Sequence, residues 1–211
     1  WETMTENPEI TPELADALID GGRTLEDLLP LAVQLEGHGD NIVPAMLGGL
    51  RVVVEDDHGL VQSGLTPPDD LRLVMLIPEF SMPTEESRKR LPERLTRNQA
   101  VHNIGRAALL IAALTQGKYE LLGTATEDVL HQPARSALFP AMYPLFQAAR
   151  DAGAHGVYLS GGGSTIAAFA DTAQADVVAG AMREIAAVHG LKVDARICQM
   201  SDVGATLVSV E

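Results

Sequence analysis

Cysteine is nearly missing: Cys198 is the single one among 211 residues, so no disulfide can close within the chain. The core must then come from burial of apolar side chains, and a 46% hydrophobic composition suffices for one or two soluble domains without a disulfide or metal. No run approaches the roughly 18 consecutive apolar residues of a membrane span, so a membrane is not an expected partner. With no signal-peptide pattern at the start, the cytoplasm is the expected setting. Lysine is absent from residues 1–60, where 13 Asp and Glu face two Arg, a balance of −11 within a whole-chain charge of −14. Nucleic acids reward basic surfaces, so no nucleic-acid partner is expected either. Repeats and low-complexity segments are lacking, which removes repeat architectures.

The cations that are present gather late. Residues 61–211 hold 16 acidic against 13 basic side chains, with a cluster between Arg88 and Arg106 in RKRLPERLTRNQAVHNIGR, so an anionic substrate is drawn to this part. The chain opens on Trp1 and its first methionine is Met4, from which a piece of a longer protein is expected. WETMTENPEITP is polar, carries two prolines and shows no period, which predicts an irregular lead.

PELADALI and TLEDLLPLAVQLEG carry apolar residues at helical spacing, the second with Thr24 as N-cap and Gly37 as C-cap. NIVPAMLGG predicts a third, short helix. LRVVVEDD and LRLVMLIP are rich in β-branched and aliphatic residues and read as two strands. From Thr84 to Ala154 the pattern is helical, most firmly in NQAVHNIGRAALLIAALTQG, whose apolar density predicts a buried helix capped near Gly117. GVYLS and TIAAFA predict short strands, QADVVAGAMREIAAVHG a helix, and KVDARICQM and ATLVSV final strands. From residue 70 the order strand, helices, strand, strand, helix, strand is the split βαβ order of a ferredoxin-like sandwich, so the fold class is α+β.

Four segments carry residues suited to chemistry. EGHGDN puts Glu36, His38, Asp40 and Asn41 between two helices, where Asp40 or Asn41 serves equally well as a helix cap. TEESRKRLP begins as an ordinary helix start, and its Arg88 is either part of a solvated face or a bidentate partner for an acid. In EDVLHQPAR, His131 and Arg135 are four apart, but Pro133 between them predicts a stop or kink, so the two need not share a face and His131 reads as a structural histidine. The run Ser160, Gly161, Gly162, Gly163 allows either close backbone approach to a ligand or a hairpin turn. It matches neither the Walker pattern nor the full dinucleotide fingerprint.

Taken in order, EGHGDNIVPAMLGG, IPEFSMPTEESRKRLP, AVHNIGRAALLIAAL, EDVLHQPAR and GVYLSGGGSTIAAF resemble the homoserine kinases of the GHMP small-molecule kinase superfamily, from about residue 22 to the end. The resemblance implies a GHMP-kinase-like fold, with residues 1–48 left from the nucleotide-binding domain and 49–211 as the C-terminal domain. It implies transfer of a phosphoryl group from ATP, with Mg2+, to the hydroxyl of L-homoserine in threonine biosynthesis, and a homodimer. Glu36 would hold magnesium. His38, Asp40 and Asn41 would surround the amino acid's amino and hydroxyl ends, with Asp40 the candidate base, and Arg88 and Arg135 would hold its carboxylate. Ser160 to Gly163 stand for the family's SGAGPT-like loop beside the ATP phosphates. Gly162 and Ser164 replace the usual Ala and Pro of that loop, which predicts a more flexible one. The family's PxxxGLGSSAA-type phosphate loop has no counterpart in these residues, so the 211 residues by themselves are expected to be inactive. A non-catalytic amino-acid-binding or interaction relative, or a GHMP kinase for another acceptor such as mevalonate, are the alternatives.

Overall fold

The computed structural model describes residues 24–57, 59–82, 87 and 89–206. The described residues divide into two compact units, one of residues 24–67 with 201–206 and one of 68–200.

The first unit opens with α1 (Leu25–Glu36) and α2 (Gly39–Leu47). Thr24 and Asp27 form a reciprocal capping box at the start of α1, and Gly37 ends it at φ 81°, a left-handed conformation that glycine adopts without penalty. The sequence anticipates both caps. A hairpin follows, β1 (Leu50–Asp56) antiparallel to β2 (Gly59–Leu65), in the register Leu50↔Leu65 to Asp56↔Gly59. Arg51 ties the hairpin to the helix before it, donating from Nε to the Gly48 carbonyl at 2.6 Å and from Nη2 to the Leu47 carbonyl at 3.1 Å. A cation there satisfies carbonyls that the helix end leaves without partners. The strand β2 is not foreseen in the sequence, because GLVQSGL carries two glycines and two polar residues and gains its strand character from pairing with β1.

The second unit is built on β3 (Leu71–Pro78), β4 (Gly156–Leu159), β5 (Ile166–Asp171) and β6 (Val193–Gln199). They form one sheet in the order β4-β5-β3-β6, every neighbouring pair antiparallel. That is the ferredoxin-like arrangement expected from the element order, and the α+β class holds. Between β3 and β4 lie α3 (Arg97–Gln116), a 3-10 turn (Tyr119–Leu121), α4 (Leu122–Ala125), α5 (Gln132–Ser136) and α6 (Met142–Asp151); α7 (Ala175–Val188) joins β5 to β6. The core sits between the sheet and α6 and α7: Leu145, Phe146, Val178 and Met182 pack with Val74, Leu76, Ile166 and Ala168. In α7 the buried residues Ala175, Val178, Ala179, Met182 and Ala186 follow one face of a 3.6-residue period.

Two readings need correction. The helix α3 starts at a Thr96 capping box and ends at Gly117 as expected, but it is not buried: only Ala113 and Leu114 are, while Val101 is 64% and Ile104 69% exposed. Apolar density along the sequence therefore overstated its burial. ATLVSV shows no strand at Ala205 and Thr206, and its remainder lies outside the described residues, as does the helix expected in PELADALI.

Candidate functional site

The short helix α5 carries the chemistry of EDVLHQPAR. Pro133 falls in its first turn, where the missing N–H costs nothing, so the proline starts the helix instead of breaking one. His131 and Arg135 consequently do share a face: Arg135 Nη1 lies 3.1 Å from His131 Nδ1. Arginine can only donate, so Nδ1 is the acceptor and the imidazole proton sits on Nε2.

Asp128 holds this turn in place. Its carboxylate accepts from Leu130 N at 3.0 Å, His131 N at 2.8 Å, Gln132 N at 2.6 Å and Asn103 Nδ2 at 2.6 Å. Burial alone would raise its pKa, yet these hydrogen bonds outweigh burial and hold it below the ordinary carboxylate value. His131 is displaced downward as well. Burial disfavours its charged form, the nearby Asp128 opposes that, and Arg135 adds to it, leaving a neutral imidazole at pH 7.

Arg135 reaches further. Its Nε donates to the buried Ser87 Oγ at 2.8 Å and its Nη1 to the Gly161 carbonyl at 2.9 Å. One guanidinium thus joins α5, the segment before α3 and the glycine loop. It lines a cleft of about 410 Å³ with His131, Gly161 and the aliphatic wall of Leu91, Pro92, Leu95 and Leu130. Arg88 lies outside the described residues.

The glycine run is a hairpin turn between β4 and β5, closed by Ser160 N to the Thr165 carbonyl at 2.9 Å and Gly163 N to the Ser160 carbonyl at 2.9 Å. Gly161 and Gly163 have φ of 53° and 85°. Ser164 is buried and donates from Oγ to the Phe80 carbonyl at 2.6 Å. The loop expected to be loose is therefore tied at both ends, by Arg135 and by Ser164. Gly161 and Gly162 face open space, with nothing within 4 Å of where a Cβ would stand, so an anionic group has room to approach their backbone.

In the first unit, Glu36 ends α1 and His38 is the N-cap residue of α2, whose side chain does not cap the helix. Helix α2 starts at Gly39, so Asp40 and Asn41 are already inside its first turn and neither caps it. The carboxylate at that helix start is instead Glu55, which accepts from Gly39 N at 3.1 Å. Glu36, His38, Asp40 and Asn41 are all exposed. Among the described residues no three His, Cys, Asp or Glu side chains converge as a cation site, and none of the helices is long and apolar enough to cross a membrane.

Sequence reasoning missed Asp128, Ser87 and Ser164. For Asp128 a signal existed, an aspartate shortly before a proline in the first turn of a helix. Ser87 and Ser164 sit in segments far apart in sequence from their partners and announce nothing locally.

Residues 110–187, from the end of α3 to most of α7, match the family described as GHMP kinases C terminal. This part of the chain is a GHMP kinase C-terminal domain. Over nearly its whole length the chain is similar to homoserine kinases: that of Desulfitobacterium hafniense is 35% identical over 194 residues, covering 92% of this chain and 65% of the relative. That of Carboxydothermus hydrogenoformans is 44% identical over 156 residues, covering 74% and 51%. In three dimensions the chain resembles the crystal structure of homoserine kinase from Cytophaga hutchinsonii at a TM-score of 0.82 and 28% identity, over 90% of this chain and 62% of that one. The fold extends to L. major mevalonate kinase at a TM-score of 0.64 and 16% identity. The chain spans between half and two thirds of the length of these homoserine kinases.

Proposed function

We propose that these residues are the acceptor-binding part and C-terminal domain of a cytoplasmic homoserine kinase, which transfers the γ-phosphoryl of ATP to the hydroxyl of L-homoserine and so serves threonine biosynthesis. The observation that carries this reading is the Arg135 cleft. A guanidinium set in an otherwise aliphatic wall suits the carboxylate of a short amino acid, because a planar fork meets a carboxylate in two parallel hydrogen bonds. Arg88 is the second arginine for that carboxylate, and His38, Asp40 and Asn41 serve the amino and hydroxyl ends.

ATP fits the open backbone at Gly161 and Gly162, and magnesium needs no cage here, since it is commonly bound by one or two carboxylates together with phosphate oxygens. Glu36, exposed at the end of α1, is that carboxylate. Bound there, the cation would supply charge neutralisation for the phosphates. The chain's own contribution is to hold the acceptor: Arg135 fixes one end, and its bond to the Gly161 carbonyl keeps the loop and the cleft in register. In this reading Asp40 takes the hydroxyl proton.

The test is kinetic, in a full-length kinase that includes these residues. Arg135→Ala raises the homoserine KM by about 10- to 150-fold, the equivalent of roughly 1.5–3 kcal/mol for a charge-assisted hydrogen bond lost from a partly desolvated site, and leaves the ATP KM within about twofold. Equal effects on both substrates refute the assignment. Glu36→Gln shifts the magnesium titration to higher concentration and lowers kcat, because a neutral amide is a poorer ligand for a hard cation. The 211 residues by themselves phosphorylate no homoserine, since phosphoryl transfer depends chiefly on a prearranged phosphate cradle that these residues do not include.

A further inference from the structure

The Arg135 guanidinium commits donors to three protein acceptors: Nε to Ser87 Oγ at 2.8 Å, and Nη1 both to the Gly161 carbonyl at 2.9 Å and to His131 Nδ1 at 3.1 Å. Together these bonds fix the plane of the fork, and so the direction from which it meets a carboxylate. The hydroxyl and the carbonyl remain acceptors at any pH a folded protein tolerates. The imidazole does not: its next proton goes to Nδ1, the atom that Arg135 uses.

We propose that His131 is a positioning residue for the acceptor: its neutral ring holds the Arg135 fork in place and its protonation releases the fork, so that homoserine binding weakens in mildly acidic solution. This rests on the reading of the Arg135 cleft as the seat of the acceptor's carboxylate. Protonation puts an N–H where an acceptor stood and a second positive charge 3.1 Å from Nη1. Two donors and two like charges then face each other, and the pair relieves this by turning apart.

The backbone keeps the two side chains together. His131 N donates to Asp128 Oδ2 at 2.8 Å and the His131 carbonyl accepts from Arg135 N at 3.0 Å, so ring and guanidinium leave one turn on the same side. The other ring nitrogen, Nε2, lies 3.9 Å from Asp128 Oδ2. With its nitrogens facing Asp128 and Arg135, a protonated ring repels the guanidinium at short range and offers the carboxylate no new donor. From the neighbouring elements, Arg106 of α3 is paired with Glu127, and Tyr158 of β4 is neutral, burial pushing its pKa up to about 12. These three line a cavity of about 200 Å³ with the ring. On the cleft side Leu91, Pro92, Leu95 and Leu130 bring no charge. Among the described residues Asp128 and Arg135 are thus the close charges: burial lowers the proton affinity of the ring, Asp128 opposes that and Arg135 adds to it, with a net result below 6.5. The fork is therefore held above that value and released as pH falls through the lowered one.

The test is the homoserine KM of a full-length kinase that includes these residues, followed from about pH 8 to about pH 5.5, with circular dichroism to verify folding. Over that range the KM of the unaltered enzyme rises about three- to tenfold more than that of His131→Asn, whose Oδ1 replaces Nδ1 as acceptor and takes no proton. Ionisation of ATP acts alike on both enzymes, so the difference between the two profiles is the readout. His131→Leu, which leaves Arg135 no acceptor there, raises the homoserine KM about three- to tenfold at the upper end of the range with kcat within about twofold, and decides the matter if the asparagine variant does not fold. Profiles that coincide for the unaltered enzyme and His131→Asn overturn the role. So does a homoserine KM that falls on acidification, which would mean that the imidazolium binds the carboxylate itself, or a leucine variant that lowers kcat and leaves KM alone. Arg135→Ala separates the two levels of the argument: if it leaves the homoserine KM unmoved, the assignment of the cleft fails and this role with it, whereas a raised KM beside coincident pH profiles removes the role of His131 alone.

Discussion

Four donors converge on Asp128, three of them backbone N–H groups of the turn that presents His131 and Arg135. Replacing it with alanine leaves these groups without partners in a half-buried setting and costs about 2–4 kcal/mol, combining loss of a cap with unpaired donors. Urea unfolding of Asp128→Ala against the unaltered chain measures it, and a loss below about 1 kcal/mol would sink this role. The same turn governs pH dependence. Both Asp128 and His131 have folded pKa values below their ordinary 3.8 and 6.5. The unfolded chain then binds more protons on acidification, so each contributes stability that is present above its ordinary pKa and is lost as pH falls through the folded value. For His131 that loss begins below 6.5. Unfolding curves recorded from neutral pH into the acid range should show it, and His131→Gln should flatten the upper part of that slope while keeping an acceptor for Arg135. A residue's role here was only half legible: Pro133 looked like a break because a proline inside a helix is one, and only its position in the first turn reverses the meaning.

The β4–β5 turn shows how an element divides its demands among like residues. Gly163 sits at φ 85° and a Cβ there would stand 2.6 Å from Met82 Sδ, so Gly163→Ala combines a disfavoured backbone with a steric conflict and should cost about 1–3 kcal/mol. Gly162 has neither problem, and Gly162→Ala should change stability by less than about 0.5 kcal/mol. Thermal unfolding of the two variants side by side separates a turn that needs one particular glycine from one that needs glycine throughout; equal losses would refute the distinction. Ser164→Ala removes the bond to the Phe80 carbonyl and should cost about 1–2 kcal/mol, leaving a part-buried acceptor unmet. The three glycines announced a turn in the sequence. Which of them is indispensable depends on Met82, a residue of another segment.

Stability should differ between the two units of the molecule. Five consecutive residues of β5, Ile166 to Ala170, are buried, and the strand is flanked by β4 and β3. The β1–β2 hairpin is a two-stranded sheet with Val54 and Val61 each 56% exposed, and an isolated pair of strands is marginal in water. Hydrogen exchange should therefore find the slowest amides in β5 and β3 and much faster exchange in β1 and β2. Equal protection would mean the hairpin draws support that its own contacts do not explain.

Local rules settled what local rules can settle. The caps at Thr24, Gly37, Thr96 and Gly117, the periodicity of α7 and the order of strands and helices from residue 70 onward were all legible, since capping, amphipathic spacing and chain order act over a few residues or follow from connectivity. The ferredoxin-like sheet follows from that order because few ways of pairing such strands keep connections short. The burial of α3, the strand β2, the start of α2 at Gly39 and the hub at Asp128 were decided only in three dimensions. Each depends on a partner remote in sequence: β1 opposite β2, Glu55 at the N–H of Gly39, Asn103 on Asp128, Ser87 and Gly161 on Arg135. The type of residue limits what bonds it can make, but packing chooses which partner arrives.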